Sequence, residues 1–436
     1  MMSSEKRSVL KPLRGFAWGK GIFVCLFCVV GQWNLLAEDW PMFRGPTGNG
    51  VSQEKGVPLT WDAEKNVKWK VALPDKGNGS PIVSNGRVFV VSADKDGKKR
   101  SLLCFDRKSG KSLWQQSVSY DQKEATHKTN PFGSSTAAAD GEKVVVWHSS
   151  AGLYCYDFKG KQLWKRDLGE FKHMWGYGGS PLLHKGKIYL HAAPGAKVFV
   201  TAIDLETGKT LWQADEPQKG NGEKNENKKY MGSWSTPIVV TVDGTEQIVC
   251  SMTTRVNAYD PENGNIIWTC EGLSGKKGDL SYASPLVAGN VCVGFAGFGG
   301  PSIGIKLGGK GNVTAKNQLW RVEKSPQRIG SGVVVDGYLY LANAGPNTFQ
   351  CIDPKTGEEL WQERSGGPAH WGSMVYADGH LFVTNQGGTT FVIKPNPEKL
   401  EVVGKNTIDE RSNSTPAFSD GQIFLRTFDN LYCIGK

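Results

Sequence analysis

Short apolar stretches alternate with polar, glycine-containing turns along this chain. The stretch from Lys197 to Ile203 is rich in β-branched and aromatic residues, which predicts a β-strand. Asp204 follows, and its side chain can hydrogen-bond the backbone ahead and start a turn. Gly208 supplies the positive φ that a tight hairpin needs, and Trp212 lies on the second strand. The pattern therefore predicts β-hairpins as the basic unit.

This hairpin sequence is repeated. Each copy has a small apolar residue, an Asp two positions later, a Gly in the turn and a Trp on the next strand. A second hairpin sequence, with Ser or Thr before an apolar pair and a Gly turn, precedes each copy. Repeats with a period of roughly 40–55 residues indicate a propeller or a solenoid. The tryptophans that end the copies are Trp69, Trp114, Trp164, Trp212, Trp268, Trp320 and Trp361.

Two hairpins give four strands, which is the size of one propeller blade. The hairpin that begins with Ser or Thr, which is the first of each pair along the chain, occurs eight times. The stretch 399–403 is the eighth outer strand, without a Trp. The C-terminal stretch 415–434 supplies only three strands, so we expect Trp69 and its neighbours to complete that blade. The prediction is an all-β, eight-bladed β-propeller of four-stranded blades, closed by an N-terminal strand that joins the C-terminal blade. Closure hides two sheet edges.

The N-terminal region has the features of a targeting segment. Five basic residues precede the apolar run 21–30, and Leu35-Leu36-Ala37 resembles a cleavage site. This order is typical of a secretory signal peptide, with an uncleaved anchor as the alternative. The predicted domains are a signal peptide at 1–37, a lead-in strap at 38–65 and the propeller at 66–436.

Charge and cysteines narrow the functional classes. The formal charge is +10, of which residues 1–37 contribute +4, so the remainder carries +6 and no basic run suggests nucleic acid. Seven cysteines follow residue 37. Four occupy the small apolar repeat position that Ala202 and Ala258 fill in other copies. Equivalent positions in adjacent blades are about 10 Å apart, too far for a disulfide, so we expect free thiols at Cys104, Cys155, Cys351 and Cys433.

The repeat Ala/Cys-x-Asp-x-x-Thr/Ser-Gly-Lys-x-Leu-Trp resembles that of the PQQ-like, quinoprotein-type propeller family. This family includes quinone-dependent dehydrogenases and the outer-membrane assembly factor BamB, which resembles a propeller without a cofactor. For an enzyme, the resemblance implies a quinone beside a calcium ion held by carboxylate and amide side chains, an Asp base, and often an adjacent Cys-Cys pair, which this chain lacks. The opening from Trp40 to Pro46 resembles exported members of the family. Its Pro and Gly residues predict an irregular strap packed against one face of the ring, with a partner-binding flap as the alternative.

The candidate site lies in the loops before each innermost strand, because a propeller opens there near its axis. These loops share no common sequence, yet five of the eight carry an aromatic ring. Aromatic walls with a few polar groups are typical of ligand pockets, although such rings can also simply plug the channel. We predict that one opening of the channel is surrounded by His173, Trp175, Tyr177, Trp234, Tyr282, Arg328, His370, Trp371 and Arg411.

No nucleophile elbow, Walker loop or zinc-protease motif is present in the sequence. The leading expectation is an exported, periplasmic or envelope-associated, BamB-like scaffold without enzymatic activity. It would bind a protein or a small ligand at one propeller face, with no catalytic residues, no metal and no cofactor. Association with cell-envelope components fits this expectation. The alternative is a PQQ-dependent dehydrogenase with Ca²⁺.

Overall fold

Residues 39–436 are described by a computed structural model, and the predicted signal peptide at 1–37 lies outside these described residues. They form an eight-bladed β-propeller of four-stranded antiparallel sheets, which confirms the predicted fold class. Within residues 39–436, no helix is long and apolar enough to span a membrane.

The blades follow one another along the chain, each running from an inner strand at the axis to an outer strand at the rim. Their strands, in that order, are Ile82–Ser84, Arg87–Ala93, Lys99–Asp106 and Ser112–Ser119 in blade 1; Ala138–Ala139, Lys143–Trp147, Leu153–Asp157 and Gln162–Arg166 in blade 2; Leu182–His184, Lys187–Ala192, Phe199–Asp204 and Thr210–Asp215 in blade 3; Ile238–Val242, Thr245–Ser251, Arg255–Tyr259 and Ile266–Glu271 in blade 4; Leu286–Ala288, Val291–Phe295, Ser302–Lys306 and Gln318–Val322 in blade 5; Val333–Val335, Tyr338–Ala342, Thr348–Ile352 and Glu359–Arg364 in blade 6; Val375–Ala377, His380–Thr384, Thr389–Lys394 and Glu401–Thr407 in blade 7; and Ala417–Ser419, Gln422–Arg426, Asn430–Ile434 and Val67–Ala72 in blade 8.

A few short elements lie between or beside the blades. Gly311–Asn312 pairs with the outer strand of blade 4. Tyr230–Ser233 and Gly278–Ser281 pair in parallel, and they precede the inner strands of blades 4 and 5 in the chain. One helical turn covers Thr314–Asn317, and 3₁₀ turns cover Ser149–Ala151 and Gln218–Gly220.

The ring closes as the repeat predicts. The strand Val67–Ala72 pairs antiparallel with Asn430–Ile434, and Trp69 lies opposite Cys433. Gly435 then donates its backbone N–H to the Asn66 carbonyl at 2.8 Å. The N-terminal strand therefore completes the last blade.

The outer tryptophans tie neighbouring blades together. In each of the seven blades with such a Trp, the indole lies opposite the small repeat position, as in the pairs Cys155–Trp164 and Ala202–Trp212. Six of the seven indoles donate their Nε1–H to a backbone carbonyl in the turn of the next blade at 2.8–3.0 Å. Trp268 differs, because Gly311 pairs beside it and its indole bonds Gln247 at 2.8 Å. The seven cysteines of residues 39–436 are buried and unpaired.

Blade 7 lacks the Trp because blade 8 has no covalent turn to receive one. Gly404 stands at the Trp position, opposite Val392. An added Cβ there would lie 2.8 Å from the Leu59 carbonyl, so the preceding segment fills the space. Asn406 fixes that segment, since its side chain bonds the Trp61 N–H at 2.9 Å and the Leu59 carbonyl at 3.0 Å.

The segment from residue 39 to 65 crosses the end of the channel opposite the inner loops. Trp40 bonds the backbone of Val83 in blade 1 in both directions at 2.9 Å, and Pro41 accepts from the Ala139 N–H in blade 2 at 2.8 Å. Farther on, the Gly50 carbonyl accepts from the Tyr376 N–H in blade 7 at 2.8 Å. Trp40 is fully buried, and its ring meets that of Phe418 at 5.6 Å in blade 8.

Candidate functional site

A cavity of about 360 Å³ lies where the loops before the inner strands converge on the axis. We call these eight segments the inner loops. Each is held by the rigid inner strand that follows it, so its side chains reach the same end of the channel. The cavity is lined by Phe43, Asn78, Ser80, His127, Asn130, Ser134, Thr136, Trp175, Tyr177, Gly178, Ser180, Trp234, Thr236, Tyr282, Phe298, Gln327, Ile329, Gly330, Ser331, Trp371, Ser373, Asn413 and Thr415.

One wall of the cavity is an aromatic cluster from blades 3, 4 and 5. The rings of Trp175 and Trp234 are 6.0 Å apart, and Trp234 contacts Tyr282 at 5.3 Å. Phe298 meets Trp175 edge-on at 5.3 Å. The Trp234 indole also donates to the Gly176 carbonyl at 2.9 Å, which fixes its orientation. The wall is therefore formed by rings that hold one another in place.

Trp371 faces this wall from across the axis. It precedes the inner strand of blade 7, and in a ring of eight blades the opposite member is blade 3, which carries Trp175. Both indoles line the cavity and are half-buried. Phe43 lines the cavity from the side of the segment that crosses the far end of the channel. The space between the two tryptophans suits a flat apolar group.

The rest of the cavity lining is polar, but none of the lining residues carries a carboxylate. The Asn130 amide donates to the carbonyls of Trp175 and Tyr177 at 2.7 and 2.9 Å. The Asn413 amide donates to the Asn78 side-chain oxygen at 3.0 Å, which links blades 8 and 1. These hydrogen bonds hold the polar part of the cavity lining in place. The lining residues include no negatively charged side chain.

Five of the nine predicted site residues line this cavity: Trp175, Tyr177, Trp234, Tyr282 and Trp371. His173 lies directly behind the wall, with its ring 5.0 Å from that of Trp234 and its Nε2 3.0 Å from the Met231 carbonyl. Burial lowers the pKa of His173, although that hydrogen bond opposes the shift. It therefore supports the aromatic wall as a neutral ring.

The other three predicted residues do not line the cavity. His370 is buried against Phe349 and Phe391, its Nε2 is 2.9 Å from the Ser365 hydroxyl, and burial lowers its pKa to about 4. Arg328 is buried under the ring of Phe295. Arg411 is exposed and lies over Phe428. Shared loop position therefore did not fix side-chain direction.

The structure also adds lining residues outside the predicted set. Phe43 comes from the segment before the first blade, and Phe298 from a hairpin turn within blade 5, so neither belongs to an inner loop. A set of serine and threonine hydroxyls completes the lining. Their signal was present in the sequence, because Ser or Thr begins the first hairpin of every blade.

The model of one protein family, described as outer membrane protein assembly factor BamB, matches residues 50–126, 98–363, 309–395 and 347–434. Together these matches cover most of the chain.

The chain is also similar to curated dehydrogenases and to solved structures of both BamB and a dehydrogenase. A quinohemoprotein alcohol dehydrogenase, ADH-IIG of Pseudomonas putida, is 25% identical over 283 residues, which are 57% of this chain and 36% of that enzyme. The chain therefore spans about a third of this relative's length. BamB from Moraxella catarrhalis has a TM-score of 0.56 at 14% identity, covering 85% of this chain and 97% of that one. The quinohemoprotein alcohol dehydrogenase of Comamonas testosteroni has a TM-score of 0.63 at 13% identity, covering 91% and 81%. Both structures share the propeller fold of this chain.

These relatives overturn the prediction that no cofactor is involved. The matching curated enzymes include proteins named quinohemoproteins, a name that includes both a quinone and a haem. The expectation of a chain without any cofactor was therefore wrong. It rested on the missing Cys-Cys pair and on the few acidic residues of the inner loops. The acidic residues bear on a calcium site and not on the binding of a flat ring.

The cavity fits only part of a quinone–calcium centre. Its aromatic walls suit a flat ring, but calcium needs several converging oxygen ligands, usually including carboxylates. The lining residues offer amides and hydroxyls only. Within residues 39–436, no three His, Cys, Asp or Glu side chains are placed to hold a metal ion. The complete centre therefore does not fit these residues.

Proposed function

We propose that this chain, which belongs to the PQQ-like propeller family whose model is described as outer membrane protein assembly factor BamB, is a binding propeller of the cell envelope. In this proposal the aromatic cavity holds a small, flat organic ligand. Export is part of this proposal, since the sequence of residues 1–37 resembles a signal peptide. The face around the cavity is also where we place any protein partner.

The observation that carries the proposal is the cavity between Trp175 and Trp371. Its volume of about 360 Å³ is in the range of small-molecule sites, about 300–1,000 Å³. Indole rings line it from opposite sides of the axis, and amides and hydroxyls complete the lining. Because the rings of the aromatic wall hold one another in place before binding, little conformational entropy is lost on that side when a ligand enters.

A second candidate function is quinone-dependent oxidation, favoured by the curated dehydrogenases that match the chain. Flat quinones belong to the ligand class that the cavity suits. Such a group would supply an electron acceptor, and Trp175 and Trp371 would hold its ring. The test adds pyrroloquinoline quinone, with and without Ca²⁺, and records its absorbance. A calcium-dependent spectral change with reduction by an alcohol would favour the enzyme over the binding propeller.

The test of ligand binding uses naphthoate and naphthylmethanol as flat probes, measured by calorimetry. Replacing Trp175 and Trp371 with Ala should weaken binding about tenfold or more, because each aromatic contact adds about 1 kcal/mol beyond its buried area. Trp361→Ala is the matched control, since it removes a rim indole far from the cavity. If the unmodified protein binds neither probe, or if the double variant binds as well as the control, the cavity is not a ligand site.

A further inference from the structure

A belt of hydroxyl groups surrounds the channel at the floor of the cavity. Each blade contributes one buried Ser or Thr just before its inner strand. Seven of these hydroxyl oxygens accept the backbone N–H of the belt residue in the neighbouring blade at 2.9–3.1 Å. The same seven line the cavity: Ser80, Thr136, Ser180, Thr236, Ser331, Ser373 and Thr415. The eighth belt residue, Ser284, does neither.

These seven hydroxyls retain a donor. Each oxygen is already an acceptor for a backbone N–H, so its own hydrogen needs a separate acceptor. Within residues 39–436, none of the seven donates a hydrogen bond to the protein. A buried donor without an acceptor carries a free-energy cost. The belt therefore offers several O–H donors to whatever occupies the cavity.

A buried positive charge lies beside the belt. The Arg44 guanidinium is fully buried, and its Nη2 donates to the carbonyls of Asn49 and Gly332, the latter directly after Ser331. Its Nε and Nη1 have no partner among residues 39–436, and it makes no ion pair there. Burial lowers the pKa of Arg44 to about 9, which leaves it charged at neutral pH. A buried, unpaired positive charge thus lies next in sequence to Phe43, which lines the cavity.

We infer that the belt and Arg44 together select an anionic ligand, and that the cavity binds an aromatic carboxylate. The flat ring would lie between Trp175 and Trp371, and the carboxylate would accept hydrogen bonds from the belt hydroxyls. Donors and an unpaired cation attract a carboxylate, while the lining supplies no acid to repel it. This inference rests on the proposed ligand-binding function and names its substrate class.

The experiment compares naphthoate with naphthylmethanol, which share the ring system and differ in the charged end. At neutral pH naphthoate should bind about tenfold tighter or more, as expected for hydrogen bonds to a charged group. The double variant Ser331→Ala/Ser373→Ala removes two of the seven donors and should lower this preference while still binding naphthylmethanol. Arg44→Met should lower the preference independently of the belt.

Two controls keep structural damage apart from lost recognition. Ser284→Ala removes the belt hydroxyl that does not line the cavity and should leave the preference unchanged. Ser331→Thr, the residue type found in blades 2, 4 and 8, should also retain it. Equal binding of both probes by the unmodified protein would overturn the inference while the ligand-binding function stands. A preference that the double variant leaves undiminished would also overturn it, and binding of neither probe would remove both proposals.

Discussion

The rim and the axis of this propeller follow different rules. At the rim, six indoles make the same hydrogen bond to the next blade, and each lies opposite a small residue. At the axis, the inner loops differ in length and sequence, and their aromatic rings gather on blades 3, 4, 5 and 7. Regularity therefore marks packing between blades, and departure from it marks the cavity in which we propose that a ligand binds.

The exceptions at the rim support this distinction. Blade 7 lacks its Trp at Gly404, where blade 8 has no covalent turn between its third strand and its outer strand. The segment with Leu59 and Trp61 fills that place. Each irregularity at the rim thus has a packing partner, whereas the irregular loops at the axis surround an open cavity.

The largest effect should come from the closing strand. Trp69→Ala removes an indole that bonds the Arg107 carbonyl at 3.0 Å and packs near Phe424. The indole is partly buried, and we expect its loss to lower the free energy of unfolding by about 3–5 kcal/mol, the range for large aromatic truncations, because the hydrogen bond to the next blade is lost together with the packing. Removing 431–436 should destabilise the protein at least as much, because the same blade opens.

The control for this prediction is Trp371→Ala at the axis. Its indole lines the cavity, so its loss should change the free energy of unfolding by less than about 1 kcal/mol. Denaturant unfolding curves measure both variants. Equal destabilisation by the two would erase the distinction between rim and axis.

Replacing a glycine that lies under an indole with Ala should lower the free energy of unfolding by less than the loss of the closing Trp. It should lower it by more than the same replacement at a turn glycine with open space around it. Gly208 has a φ of +68°, and an added Cβ would lie 2.6 Å from the Trp164 ring. Gly244 has a φ of +76° with nothing within 4 Å. Gly244→Ala should cost about 1 kcal/mol for its backbone conformation, and Gly208→Ala about 2–4 kcal/mol because the ring must move. Equal costs by calorimetry would mean that the indole contact is not a tight one.

Closure should also depend on pH through Glu410. Although burial alone would raise its pKa, hydrogen bonds from Lys70, Thr427, Tyr432 and Asn430 lower it to about 2 from the ordinary 4.5. Because the folded-state pKa is depressed, this stabilisation is complete above pH 4.5 and is lost as the pH falls towards 2. It should be on the order of 2 kcal/mol at neutral pH.

Glu410→Gln should therefore unfold more easily at neutral pH and lose less stability between pH 4.5 and 2 than the unmodified protein. The exposed Glu358→Gln is the control and should follow the unmodified protein. Unfolding free energies across this pH range provide the measurement. Parallel curves for all three proteins would show that Glu410 does not hold the closing strand.

The repeat predicted the rim because packing between blades imposes the same residue types each time. The indole positions and the small residues opposite them could be assigned from sequence alone. The axis could be located but not resolved. His370 shares its inner loop with Trp371, yet it turns back to Phe349 and Phe391. Side-chain direction depends on how each loop meets its neighbours, and sequence spacing does not contain that information.

The hydroxyl belt illustrates a further limit. Its Ser and Thr residues were visible as the start of the first hairpin, but their pairing joins residues of different blades. Only closure of the ring places the oxygen of Ser80 next to the N–H of Thr415. Phe43 reaches the cavity for a comparable reason, because the segment that carries it crosses the whole ring before the first blade begins.

The smallest effect should come from the cysteines of the rim. Cys155 lies opposite Trp164, at the position that Ala202 fills in blade 3. Burial raises the pKa of the Cys155 thiol to about 12, so it should resist alkylation until the protein unfolds. Cys155→Ala should change the unfolding free energy by less than about 1 kcal/mol, because the repeat already tolerates Ala there. Mass spectrometry after alkylation, with and without denaturant, tests the same point for Cys104, Cys351 and Cys433. A disulfide between any two of the four, or fast labelling of the folded protein, would contradict the regular packing on which the contrast between rim and axis depends.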